Sequence, residues 1–119
     1  MTPSTTNFDP FEIVLVPFPF TDQTGSKKRP AVVISSREYH QERPDLIIMA
    51  ITSQIHHAIF GETPVHYWQN AGLLKPSVVK PVITTIEKQV TRGTIGRLHP
   101  QDIHALLANL HRVLNMEPK

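Results

Sequence analysis

The sequence predicts a mainly β protein, a small and strongly bent sheet or partly closed barrel that ends in one α-helix. Short β-rich runs alternate with turn residues along most of the 119-residue chain. Eleven prolines are spread along the chain and separate these runs rather than clustering. Near the end, the spacing of apolar residues changes to a helical period. We expect about six or seven strands before that helix.

The N-terminal half contains three predicted strands. They cover residues 11–16, 31–34 and 46–51. The first is bounded by Pro10 and Pro17, and a polar loop follows over residues 21–28. The second is opened by Pro30. Because the third is apolar almost throughout, we expect it to be buried on both faces.

The C-terminal half contains shorter strand candidates and the helix. The candidates cover residues 65–68, 78–79, 82–86 and 89–95, and Gly93 and Gly96 indicate a turn or bulge. The apolar stripe of the helix consists of Ile103, Leu106, Leu107, Leu110, Val113 and Leu114. Pro100 suits the first helical position, and Asp102 complements the dipole of the first turn. These features predict an amphipathic helix of about four turns.

Composition indicates a single domain, which we place over residues 11–116 after a disordered lead over residues 1–10. The lead lacks a basic start and an apolar segment, so we predict no secretory signal. Apolar runs are too short to cross a membrane, and the chain has no cysteine, which fits a cytoplasmic location. The net charge of +2 says little about partners, although Lys27, Lys28 and Arg29 form a local basic cluster.

Arg29 is the first candidate for chemistry. Pro30 biases Arg29 towards extended geometry, so the guanidinium is expected to project from the rigid start of a strand. A guanidinium presents a planar fork of donors that suits a phosphate. Without other signals, a loop arginine in a surface ion pair is the simpler explanation.

Thr52 and Ser53 are the second candidate. They stand where the buried third strand ends, and residues at strand ends are held rigidly while facing solvent. The alternative is that one of these hydroxyls caps a short helical turn over residues 54–57. The seven histidines show no spacing that suits a metal ion, and we predict neither a metal nor a cofactor.

Five segments in order resemble the MazF/PemK family of toxin–antitoxin toxins. They are Val16-Pro-Phe-Pro-Phe-Thr-Asp22, Lys28-Arg-Pro-Ala-Val-Val33, Ile51-Thr-Ser53, Ala71-Gly-Leu-Leu-Lys-Pro-Ser-Val-Val79 and Gly96-Arg-Leu98. The resemblance covers roughly residues 11–115. It implies an SH3-like barrel of the CcdB/PemK type and a homodimer. It also implies a metal-independent endoribonuclease that cuts single-stranded mRNA at a short sequence and is neutralised by a cognate antitoxin.

The resemblance assigns the catalytic roles to Arg29 and Thr52, with Ser53 as a helper by adjacency. Attack of a ribose 2′-hydroxyl on the neighbouring phosphate requires charge stabilisation at that phosphate, which a guanidinium and a hydroxyl can supply. The general base is left open among His56, Glu12 and Asp22. The candidate RNA-binding residues are Lys27, Lys28, Gln23 and Ser77.

The sequence departs from the family pattern at three places. Phe11-Glu12 replaces a Gly-Asp pair, Asp22 is the only acidic residue in the loop before Arg29, and Pro81-Val-Ile-Thr84 replaces a more polar segment. Two other functions stay open. One is a barrel toxin that poisons gyrase through its terminal helix, although Arg112-Val-Leu-Asn-Met116 carries no aromatic residue. The other is an SH3-like module for proline-rich peptides, although the aromatic residues are scattered.

Overall fold

The computed structural model describes residues 8–17, 28–56 and 59–116. The strands are β1 (Glu12–Pro17), β2 (Lys28–Val33), β3 (Asp45–Thr52), β4 (Thr63–Val65), β5 (Ser77–Glu87) and β6 (Thr94–Arg97). The helices are α1 (Arg37–Glu42) and α2 (Pro100–Leu114), and a 3-10 turn covers Lys88–Val90.

The strands form one sheet in the order β4-β5-β3-β2-β1-β6. All pairings in this sheet are antiparallel. The sheet is a curled, open half-barrel, and α2 packs against it. The predicted fold class is therefore confirmed. Because neighbouring strands are antiparallel, the end of β1, the start of β2, the end of β3 and the starts of β5 and β6 meet at one end of the sheet.

The two faces of the sheet carry separate apolar clusters. On one face, Ile13, Val32 and Met49 pack with Leu106 and Leu110 of α2. The other cluster consists of Phe8, Val14, Val16, Ala31, Val33, Leu46 and Ile48. The strand β3 contributes to both clusters, which confirms the prediction that it is buried on both sides.

The terminal helix begins at Pro100 as predicted. Besides the favourable charge of Asp102 near the helix dipole, hydrogen bonds accepted by the side chains of His99 and Asp102 hold its first turn. His99 is the N-cap and accepts the N–H of Gln101 through Nδ1 at 3.1 Å. The carboxylate of Asp102 is buried and accepts the backbone N–H groups of His66 and Tyr67 at 3.1 and 2.9 Å. These bonds hold residues 66 and 67 in a turn, so the strand predicted over residues 65–68 is wrong beyond Val65.

The predicted strands 78–79 and 82–86 are one strand, β5. Between Met49 and Ile51 the partner residues on β5 change from Ile83 to Val79, so β5 contains extra residues at this point. Pro81 lies in this bulge, where a ladder hydrogen bond is not needed. The strand predicted over residues 89–95 is instead the 3-10 turn followed by β6.

Residues 8–10 are not part of a disordered lead, so that prediction is wrong for them. Phe8 is only 4% exposed and belongs to the second apolar cluster. Asp9 forms an ion pair with Arg37 at 2.8 Å. Apolar burial and this ion pair fix the segment, and the remaining residues of the predicted lead lie outside the described chain.

A buried polar network, which we call the Ser35–His40 corner, joins Phe8, Ser35, His40 and Ile47. Nδ1 of His40 donates to the Phe8 carbonyl at 2.7 Å, because a carbonyl oxygen can only accept. In the tautomer that carries its proton on Nδ1, Nε2 accepts the Ser35 hydroxyl at 2.6 Å. The Ser35 oxygen also accepts the N–H of Ile47 at 3.0 Å. Each polar side-chain atom of this corner therefore has a partner.

Candidate active site

A cleft of about 420 Å³ opens at the end of the sheet where β1 and β3 finish and β2 and β5 begin. We call it the strand-end cleft. Its lining combines strand-end residues with the loop that precedes β5, namely Leu15, Lys28, Arg29, Pro30, Ile51, Thr52, Ser53, Gln54, Gly72, Leu73, Leu74, Lys75, Ser77 and Ile95. The cleft thus brings together Arg29 and Thr52 with three further residues predicted from the sequence, Ser53, Lys28 and Ser77.

Arg29 is held at the start of β2 by its pairing with Val16 of β1. The side chain is half-buried, and its Nε atom is buried without a hydrogen-bond partner among the described residues. Leaving a buried donor unsatisfied costs about 1–3 kcal/mol, and more for a charged group. Arg29 also lines the cleft, so its guanidinium can offer N–H donors to an anion bound there.

Thr52 lies at the last position of β3. The pairing of Ala31 with Ala50 sets the β2–β3 register, and continuing it by two residues places Arg29 opposite Thr52. The Thr52 hydroxyl oxygen accepts the backbone N–H of Gln54 at 3.0 Å. Since this bond uses an oxygen lone pair, the hydroxyl proton remains available for donation to a ligand. The predicted alternative, a capped helical turn after Thr52, is absent over residues 53–56.

The charges in the lining are of one sign. Lys28 and Lys75 are exposed at the rim, and Arg29 is half-buried at the start of β2. No aspartate or glutamate is among the described residues that line the cleft. Three cations without a lining carboxylate create a positive field that favours a polyanionic ligand. Exposed Gln54 and Ser53 add neutral hydrogen-bonding groups to the same rim.

Ser77 lines the cleft, but its hydroxyl proton is already used. The side chain is 5% exposed and donates to the carbonyl of Lys75 at 2.8 Å. This bond braces the loop that carries Lys75 at the start of β5. Ser77 therefore holds the backbone of Lys75 in place, and its hydroxyl can only accept a hydrogen bond from a ligand.

Two predicted helpers are not in the lining. Glu12 lies at the opposite end of β1, pairs in register with Arg97 and accepts the N–H of Asp9 at 3.2 Å. At the usual rise per residue, this position is about 13 Å along the strand from Val16, the partner of Arg29. His56 is exposed beyond the end of β3. Asp22, Gln23 and Lys27 lie outside the described residues.

Close backbone contacts fix the wall of the cleft formed by Gly72 and Leu73. A Cβ atom on Gly72 would lie 2.1 Å from the Ile95 carbonyl oxygen, and one on Gly96 would lie 2.0 Å from the Ala71 carbonyl oxygen. The loop before β5 therefore packs directly on β6, and both contacts require glycine. Sequence analysis missed the wall residues Leu74 and Ile95, because their position depends on this non-local packing.

The cleft can bind an anion through Arg29 and donate a hydrogen bond through Thr52. Among the described residues, no three histidine or carboxylate side chains converge in a way that could hold a metal ion. No helix within the described ranges is long and apolar enough to cross a membrane.

The sequence matches the family model described as PemK-like, MazF-like toxin of type II toxin–antitoxin system over residues 9–114. No curated protein matches the sequence.

Solved structures show the same fold. The Mycobacterium tuberculosis toxin MazF-mt6 is 20% identical, with a TM-score of 0.73, and the match covers 90% of this chain and 99% of that toxin. A mycobacterial endoribonuclease in complex with its cognate antitoxin is 13% identical, with a TM-score of 0.76 and coverage of 94% and 99%. A MazE–MazF structure from Deinococcus radiodurans is 15% identical, with a TM-score of 0.73 and coverage of 95% and 100%.

Proposed function

Because the chain belongs to the family of PemK-like, MazF-like toxins of type II toxin–antitoxin systems, we propose that it is a sequence-specific, metal-independent endoribonuclease acting on single-stranded RNA. One observation carries the proposal: Arg29, whose buried Nε has no partner among the described residues, lines the same cleft as Thr52. A charged donor held in this way stabilises negative charge that develops on a bound phosphate.

The proposed reaction transfers a phosphoryl group within the RNA, from the 5′-oxygen of one nucleotide to the 2′-oxygen of the preceding ribose. The ribose 2′-oxygen attacks the adjacent phosphorus and loses its proton, and the bond from phosphorus to the 5′-oxygen breaks. The leaving 5′-oxygen takes up a proton. The products are a 2′,3′-cyclic phosphate and a 5′-hydroxyl. Arg29 holds the non-bridging oxygens as their charge increases, and Thr52 donates a hydrogen bond to the same phosphate.

The general base is not supplied by the residues that line the cleft, which include no carboxylate and no imidazole in the described ranges. Glu12 is remote from the cleft, and His56 lies outside its lining, so neither is supported. Asp22 stays a prediction, as do Lys27 and Gln23 as RNA ligands. Lys28 is supported as a phosphate ligand by its exposed position at the rim.

We also propose that a cognate antitoxin neutralises the protein by covering the strand-end cleft. The mycobacterial and Deinococcus neighbours were solved with an antitoxin or as MazE–MazF, which supports this partner. We propose in addition that the protein forms a homodimer and acts in the cytoplasm. Its toxin domain is proposed to cover residues 11–116.

The test is incubation of the purified protein with a long RNA in EDTA, followed by mapping of the cut ends. We expect discrete cuts in unpaired regions, with 2′,3′-cyclic phosphate and 5′-hydroxyl ends. Uncut RNA, or cuts that appear only when a metal ion is restored, would contradict the proposal.

A further inference from the structure

Arg92 lies beside the strand-end cleft although it does not line it. Its backbone N–H donates to the Leu15 carbonyl at 2.7 Å, and the Leu15 N–H donates to the Gly93 carbonyl at 3.0 Å. On the other side of β1, Leu15 pairs with Pro30, the neighbour of Arg29. Arg92 and Arg29 therefore flank β1, about 10 Å apart at the usual spacing between strands.

The backbone around Arg92 is fixed by local geometry. Gly93 has a φ of +112°, a conformation that side chains other than glycine rarely adopt. The register between β1 and β6 shifts at Ile13 and Val14, next to this glycine. The Thr91 hydroxyl donates to the Lys88 carbonyl at 2.9 Å and braces the preceding turn. These contacts fix the backbone of Arg92 beside Leu15.

The guanidinium of Arg92 has N–H donors that are available for a ligand. The side chain is exposed, and Nη1 donates to the Val90 carbonyl at 2.9 Å. An arginine has five N–H donors, so most remain available. Across the described part of the chain, carboxylates form ion pairs only with Arg37 and Arg43. Among the described residues, no carboxylate forms an ion pair with Arg92, which lies next to a site that already favours anions.

The cations at this end of the sheet follow the order of the strands. Lys75 precedes β5, Lys28 and Arg29 begin β2, and Arg92 precedes β6. From β5 to β6 there are four strand spacings, or about 19 Å. A single nucleic-acid strand that runs across the strand ends would meet these charges in sequence, with the phosphate at Arg29 in the middle.

We propose that Arg92 binds a backbone phosphate of single-stranded RNA on the β6 side of the phosphate held by Arg29. The inference rests on the proposed function and extends its binding surface beyond the strand-end cleft. It assigns to Arg92 a contact with the backbone, which contributes affinity at every sequence rather than selecting a base.

The test measures the affinity for an RNA strand with a 2′-deoxy residue at the mapped cleavage position, by fluorescence anisotropy over a salt series. Each lost phosphate contact on a single strand lowers the slope of log affinity against log salt by about 0.7. We expect that decrease for Arg92→Gln and the wild-type slope for Arg92→Lys, which keeps the charge. Arg97→Gln is the matched control, because Arg97 lies at the far end of β6 opposite Glu12.

A strand shortened on the side that reaches Arg92 supplies the second arm. With this strand the wild type and Arg92→Gln should have equal affinity, an outcome that misfolding of the variant would not produce. An unchanged slope for Arg92→Gln on the full strand would overturn the inference and leave the proposed function intact. Salt-dependent binding that requires Arg92, together with no cleavage of the same strand when it carries every 2′-hydroxyl, would support the inference and contradict the nuclease. Failure of the wild type to bind RNA would overturn both.

Discussion

The strand-end cleft and the Ser35–His40 corner are two polar regions of one small sheet, and they differ in whether their polar atoms are paired. At the corner, the ring nitrogens of His40, the Ser35 hydroxyl and the Ile47 N–H all have partners. At the cleft, Nε of Arg29 is buried without a partner among the described residues, and the bond that the Thr52 hydroxyl oxygen accepts from Gln54 leaves its proton for another acceptor.

This difference separates a structural role from a functional one. Buried polar groups that are fully paired stabilise the fold and have no capacity left for a ligand. An unpaired buried cation lowers stability unless a ligand completes its hydrogen bonds. The corner therefore contributes to folding, and under the proposed function the unpaired donors of the cleft bind the substrate. Variants in the two regions should consequently affect different measurements.

The largest expected effect is on catalysis and comes from Arg29→Ala. Loss of a donor that stabilises the developing charge should lower the cleavage rate by about 10²-fold or more. The free energy of unfolding should stay the same or rise, because the substitution removes a buried donor that has no hydrogen bond within the described residues. Single-turnover cleavage assays and urea unfolding measure the two quantities. Arg37→Ala is the control, since Arg37 forms an exposed ion pair with Asp9, and it should cleave at the wild-type rate.

Ser35→Ala should reverse this pattern. It leaves Nε2 of His40 and the N–H of Ile47 without partners, so the free energy of unfolding should fall by about 1–3 kcal/mol. The cleavage rate per folded molecule should stay at the wild-type value. Urea unfolding provides the measurement. Ser36→Ala removes only the exposed cap that accepts the Tyr39 N–H, and should cost about 1 kcal/mol or less. Equal losses for the two variants would show that the corner contributes no more than a cap.

Thr52→Val should have a smaller effect on cleavage than Arg29→Ala. Valine keeps the shape of the side chain and removes one hydrogen bond to the phosphate, which corresponds to about a tenfold lower rate. Thr52→Ser keeps the hydroxyl and should remain close to the wild type. Comparison of single-turnover rates tests this. If the valine and serine variants cleave equally fast, the Thr52 hydroxyl is not a phosphate ligand.

The smallest effect concerns pH and a surface pair outside both regions. The hydrogen bond from Arg43, followed by that from Tyr39, holds the pKa of the Asp45 carboxyl below its usual value. The pair therefore stabilises the protein above the pKa of the unfolded carboxyl, about 3.9, and this contribution disappears as the pH falls through the folded pKa. The difference in Tm between the wild type and Asp45→Asn should be small near neutral pH and should vanish in acid. A difference that grows in acid would contradict this assignment.

The parts of the fold that depend on local patterns were predictable from the sequence. The apolar stripe and Pro100 predicted α2, and the apolar run of β3 predicted a strand buried on both faces. The turn at residues 66–67 was not predictable, because it depends on Asp102, more than 30 residues away. The helix α1 has six residues and buries only His40, so it offers no apolar stripe.

The candidate site shows the same division. Arg29 and Thr52 were identified because each lies at a strand end within a recognisable segment, and the register of β2 and β3 brings those ends together. Leu74 and Ile95 were missed, because only the packing of the loop before β5 on β6 brings them to the cleft. Glu12 was associated with the site by residue type, whereas the antiparallel pairing of β1 places it at the other end.

The most direct test of the central claim follows the Nε–H signal of Arg29 by proton–nitrogen NMR during titration with a non-cleavable RNA strand. If the unpaired donor is retained for a phosphate, the Arg29 signal shifts and becomes protected from exchange, while that of Arg37, already bonded to Asp9 at 2.9 Å, stays unchanged. An Arg29 signal that does not move at saturating RNA would contradict the claim that this guanidinium binds the substrate phosphate.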